Sequence, residues 1–103
     1  MTEEEKKQEI LNFLNEKAFK PMIEYGKEFN DKHIIRVVTK TQTDFKRKRT
    51  AREMINRYHD IITHKSLSST EFLEHLNQKK ISTRLEDIEE EFNSRFNEEW
   101  LNK

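Results

Sequence analysis

The residues of this chain best suited to chemistry lie in one short run, Lys46-Arg47-Lys48-Arg49, followed by Arg52 and Arg57. Guanidinium and ammonium groups at this density attract phosphate backbones, because each neutralised phosphate releases a counterion. Phe45 and Tyr58 lie beside the run and offer flat rings on which a base could stack. The run also leads into a helix start, where free backbone N–H groups suit an anion.

The same cations suit an acidic protein surface equally well. Charge cancels over the whole chain, with 20 basic and 20 acidic residues, but it does not cancel locally. Residues 1–32 carry a net −2, residues 33–66 a net +6 and residues 67–103 a net −4. A basic centre between acidic flanks can dock on its own acidic C-terminal helix, within one copy or between two. A dedicated DNA-binding domain is usually basic overall, so the zero balance favours docking on protein over nucleic acid.

Other chemistry finds little support. His33, His59, His64 and His75 are the histidines, and His59 and His64 are five apart, which misses the i, i+4 spacing of a helical zinc pair. The absence of cysteine removes thiolate metal sites and disulfides, and it fits a reducing compartment. A chain with one glycine cannot build a Gly-rich phosphate loop, and its serines form no nucleophile elbow. The acids of 86–91 read as a solvated helix face, not as a buried pair with separated pKa values. No catalytic, cofactor or metal site and no small-molecule substrate is expected.

The elements that position the basic run are helical. One Gly and one Pro are too little punctuation for an all-β fold. Thr2 with Glu3, Glu4 and Glu5 reads as an N-cap and acidic first turn. Ile10, Leu14, Ala18 and Met22 continue a helical stripe, which Pro21 should kink or restart, giving pieces near 3–19 and 21–29. Ile34, Ile35, Val37 and Val38 are β-branched, so 33–39 is expected as a strand, pairing with a hairpin arm up to residue 48 or with another chain; the alternative is that 33–39 starts the next helix.

Thr50 and Glu53 have capping-box spacing, and Ala51, Met54, Ile55, Tyr58, Ile61 and Ile62 follow as one apolar helix face. Ser68 with Glu71, and Thr83 with Glu86, repeat that spacing and open helices of their own. The first carries Phe72, Leu73 and Leu76 inward, and the second runs to the C-terminus. A helix-turn-helix across 50–79 matches in length, but Glu71 and Glu74 would repel phosphate. Leu85, Ile88, Phe92, Phe96 and Trp100 form an apolar stripe that packs into the core or against a partner helix.

The expected architecture is therefore mainly α. It is a single domain over 1–103, a small bundle of four to five helices with one short strand or hairpin near 33–48. Hydrophobic residues are only 32% of the chain, so its core is thin and self-association would supplement it. No apolar run reaches the roughly 18 residues of a membrane span. The expected function is a non-catalytic, cytoplasmic protein-interaction or regulatory module that self-associates or binds a protein partner. The alternative is a small nucleic-acid-binding protein that uses 46–52.

Overall fold

A computed structural model describes residues 1–64 and 85–103, and every regular element among them is helical. The first, α1 (Glu3–Leu14), begins where the sequence indicates. The Thr2 hydroxyl accepts from the Glu5 N–H at 3.2 Å, and the Glu5 carboxylate accepts from the Thr2 N–H at 3.2 Å. These reciprocal bonds satisfy donors that the helix itself cannot use.

The chain does not break at Pro21. A π-helical turn, Asn15–Phe19, follows α1 directly and leads into α2 (Lys20–Glu28) without interruption. The Lys20 N–H donates five residues back, to the Asn15 carbonyl. Proline lacks an N–H and crowds the carbonyl four residues before it. The wider π turn takes up that mismatch, so the expected kink between two pieces becomes one continuous rod over 3–28.

At its far end the rod closes with a Schellman turn. Asn30 takes a left-handed φ of 55°, Asp31 N–H donates to Gly26 O at 2.8 Å, and Asn30 N–H donates to Lys27 O at 3.4 Å. The Asp31 carboxylate then accepts from Ile34 N–H at 3.1 Å and opens α3 (Lys32–Lys46).

This helix corrects the strand expected over 33–39 and the hairpin expected up to 48. Ile34, Val37, Val38 and Phe45 are buried on one side of α3, with Thr41 partly buried between them. That spacing is helical, and it lets β-branched side chains fill the core without a strand partner. Strand preference is largely a preference for a half-buried packing surface, so tertiary packing overrides it here.

A short turn, 47–50, leads into α4 (Ala51–His64). The capping box is present in altered form. The Thr50 hydroxyl accepts from Glu53 N–H at 3.1 Å, while the Glu53 carboxylate reaches past Thr50 to Arg49 N–H at 2.9 Å. The inward face contains Ala51, Met54, Ile55, Tyr58 and Ile61, as its periodicity predicts.

The chain ends in α5 (Leu85–Arg95) and the one-turn α6 (Glu98–Leu101). The expected unbroken C-terminal helix is therefore divided at 96–97. Asn97 is extended, with ψ −178°, and its side chain accepts from Trp100 N–H at 3.0 Å. Asparagine offers the backbone such local bonds in place of helical ones. The capping boxes at Ser68 and Thr83, the inward Phe72, Leu73 and Leu76, and the helix-turn-helix across 50–79 lie wholly or partly outside the described residues.

Helix direction alternates. Asn15 bonds Gln42 at 3.1 Å and Gly26 faces Ile35, so α3 runs back along the rod. Asp44 meets Arg57 across the next turn, and Tyr58 and Arg52 of α4 meet Phe92 and Glu98 in reverse order. The molecule measures 41 × 24 × 23 Å, and a 26-residue rod at about 1.5 Å per residue accounts for the long axis.

One apolar cluster joins α1 through α5. At its centre Tyr58 stacks on Phe92 at 3.8 Å, and Phe13 meets Phe92 and Phe96 edge-on at 5.9 and 5.5 Å. The Arg95 guanidinium lies 5.2 Å from the Phe13 ring centre, a cation–π contact at the edge of the cluster.

Candidate cationic interaction surface

The six cations of the candidate segment separate into two groups by how they are neutralised. Arg57 Nε bonds Asp44 Oδ2 at 2.6 Å, and Lys48 Nζ lies 3.5 Å from Asp44 Oδ1. One carboxylate, placed at the end of α3, thus serves two cations, one in the turn and one in α4. Arg52 grips Glu98 with both fork nitrogens, at 2.5 Å from Nη1 to Oε1 and 2.9 Å from Nη2 to Oε2. Lys46, Arg47 and Arg49 are exposed, and their side chains form no ion pair among the described residues.

Docking on the acidic C-terminal segment is thus partial. Arg52 makes that contact through α6, while Lys48 and Arg57 find their acid within the basic segment itself. The remaining three cations present a charged turn to solvent. Hydrogen bonding to the Arg52 guanidinium holds the Glu98 carboxyl below its usual 4.5.

The start of α4 is already occupied as an anion site. Ala51 N–H donates to the Glu3 carboxylate at 2.5 Å, and the Thr50 hydroxyl takes Glu53 N–H. A phosphate approaching those amides would meet the carboxylates of Glu3 and Glu53. The positive end of the helix is satisfied within the chain, and Glu3 ties the start of α1 to the start of α4.

The aromatic stripe has a different fate from the cations. Ile88, Phe92 and Phe96 are at most 2% exposed and belong to the chain's own core. Trp100 packs half-buried and edge-on against Phe96 at 4.9 Å. Leu85 opens α5, and its side chain lies outside the described residues. Ile88, Phe92 and Phe96 thus pack into the chain's own core, and Trp100 lies at its rim.

Docking of the basic segment on the acidic C-terminal segment was expected, and Arg52–Glu98 realises it, but the specific partners of three long-range contacts were not legible. Lys6 is 8% exposed and donates from Nζ to Leu101 O at 2.6 Å; Glu3 reaches Ala51; Glu98 reaches Arg52. Nothing in the local pattern around these residues announces partners so distant. The Asp44–Lys48 pair, by contrast, is local, at i, i+4 spacing.

Among the described residues no three His, Asp or Glu side chains gather as a metal site would. His33 Nδ1 lies 3.1 Å from Arg36 Nη2, and His59 packs edge-on against Tyr58 and Phe92. An open groove over the π turn is lined by Asn12, Asn15, Glu16, Lys20, Pro21 and Glu24. Asn12 and Asn15 are already bonded there, to Gln8 and Gln42.

The fold and this surface define a mainly α helical bundle with a cationic turn between its third and fourth helices. No protein-family model, curated protein or solved structure matches the chain. Among the described residues no helix is long and apolar enough to cross a membrane.

Proposed function

We propose that this chain is a non-catalytic protein-interaction module whose α3–α4 turn contacts an acidic surface on a protein partner. The supporting observation is the exposure of Lys46, Arg47 and Arg49 without an ion-paired acid, while Lys48, Arg52 and Arg57 are neutralised internally. With Ile88, Phe92 and Phe96 buried within one copy, the cationic turn is the surface that most recommends a partner. The setting proposed is the cytoplasm, in keeping with the absence of cysteine.

The neighbourhood of the turn favours carboxylates on a protein over a nucleic-acid backbone. Glu3, Glu53 and Glu98 stand beside it, and a continuous line of phosphates would run into them. A partner with a few well-placed acids can avoid all three. The fluorescence anisotropy of a labelled octaglutamate peptide tests this reading, with a labelled DNA duplex as the comparison, each at low and at physiological salt. Octaglutamate binding that weakens with salt and is lost in Arg47→Ala/Arg49→Ala supports the proposal. Tighter binding of the duplex, with a steep salt slope that the same variant flattens, replaces it with the nucleic-acid reading. No binding of either at low salt removes both.

A further inference from the structure

We propose that Glu98 is an internal stand-in for the acidic partner, so that α6 masks Arg52 until an external carboxylate displaces it; this rests on the reading of the cationic turn above. Two features of the pair support it. The geometry is the one Arg52 would offer an external ligand: both fork nitrogens engage both carboxylate oxygens, which is how guanidinium recognises carboxylates in general. The pair is also open to exchange, since the side chains of Arg52 and Glu98 are 53% and 68% exposed. Water and salt screen such a pair, so its net contribution is small and a competing anion meets little resistance.

The position of Arg52 completes the case. It lies in the first turn of α4, three residues after Arg49, at the edge of the cationic turn. With Glu98 in place the turn offers Lys46, Arg47 and Arg49; with Glu98 displaced it gains a fourth cation and the one preformed fork. The segment that carries Glu98 suits the role of a latch. Helix α6 has a single turn and is held to the bundle by the Lys6–Leu101 bond and the edge of Trp100 on Phe96. Glu98 can therefore swing out while the core aromatics Phe92 and Phe96 stay in place.

A double-mutant cycle on the full chain, with octaglutamate as the probe, tests the latch. Glu98→Gln removes the competing charge and should tighten binding about two- to fivefold. Removing any acid near a cationic surface also helps an anion bind, so the control is the same change in an Arg52→Gln background. There the latch leaves Glu98→Gln without effect. If the tightening persists in that background, the proposal is overturned, because Glu98 then acts as a distant charge only. If wild type binds and Glu98→Gln binds no tighter, the latch is overturned while the reading of the turn stands. If wild type does not bind but Glu98→Gln does, the latch as argued is overturned, because an exposed pair of this kind contributes too little to block binding completely. Binding by neither chain ends both. Glu98→Ser, which also suits a helix start, repeats the cycle should Glu98→Gln fold poorly.

Discussion

Lys6 and Leu101, 95 positions apart in the chain, are joined by one hydrogen bond of 2.6 Å from the lysine ammonium to the last helical carbonyl. Lys6 is the one buried charged residue among the described residues, and its ammonium sits at the negative end of α6. The bond closes the bundle by tying the first turn of α1 to the last turn of the chain.

Replacing Lys6 by Met keeps the stem and removes the donor. Urea unfolding should show a loss of about 1.5–3 kcal/mol, the range for a hydrogen bond involving a charged group. Lys6→Ala should cost more, because the buried stem is lost as well. An unchanged midpoint for both variants would mean that the tie contributes nothing to stability.

Gly26 of α2 faces Ile35 of α3 with no room for a side chain between them. A methyl group there would sit 2.7 Å from Ile35 Cγ1 and 3.2 Å from Asp31 O. Alanine normally favours a helix interior over glycine. Here Gly26→Ala should instead destabilise by about 1–3 kcal/mol, the usual cost of overpacking. Adding Ile35→Ala removes the nearer contact and should recover part of the loss, visible as non-additive unfolding midpoints.

Tyr58 stacks on Phe92 with its hydroxyl buried and without a hydrogen-bond partner among the described residues. Tyr58→Phe keeps the ring and removes the unmatched polar atom, so thermal unfolding should show equal or higher stability, by up to about 1 kcal/mol. Tyr58→Ala opens a cavity and should cost about 3–5 kcal/mol.

The same burial sets a pH dependence. Desolvation, and secondarily the charge of Glu89, holds the Tyr58 phenol above its usual 10.0. The folded state therefore keeps its proton when the unfolded chain has begun to lose one. That contribution is present in full below about 10 and is lost as pH rises beyond it. Denaturant midpoints measured at increasing alkaline pH should fall more steeply for wild type than for Tyr58→Phe.

Phe96 and Trp100 belong to one stripe in the sequence but carry different weight. Phe96 is 2% exposed and touches Phe13, Phe92 and Trp100, so Phe96→Ala should cost about 3–5 kcal/mol. Trp100 packs on the rim, and Trp100→Ala should cost clearly less. Sedimentation of the same variants separates core from interface. If Phe96→Ala lowers the association state without lowering unfolding stability, the stripe faces another copy.

The helical content was largely legible because its signals are local. The Thr2 N-cap with its acidic first turn, the Thr50–Glu53 spacing and the apolar face of α4 each depend on residues within a few turns of one another. The misreading at 33–39 came from too short a window. Four β-branched residues within 34–38 resemble a strand, but extending the view through Thr41 to Phe45 reveals a helical period. The π turn before Pro21 and the break at Asn97 were not legible in detail. Each is a local compromise that depends on what the helix must pack against on either side.

For the cationic segment, sequence sufficed to locate the charges and to expect docking on the acidic C-terminal segment. It could not say which cations remain unpaired. Side-chain type and spacing determined that this chain is mainly helical, where α1 and α4 begin and which of their faces are apolar, because those properties follow from the 3.6-residue period and from caps three residues apart. Only the tertiary structure decided that the 88–96 aromatics fill the chain's own core, that Glu3 occupies the start of α4, and that Glu98 claims Arg52 while Lys46, Arg47 and Arg49 stay open. Those outcomes depend on how helices distant in sequence align, which is governed by the packing of the whole core.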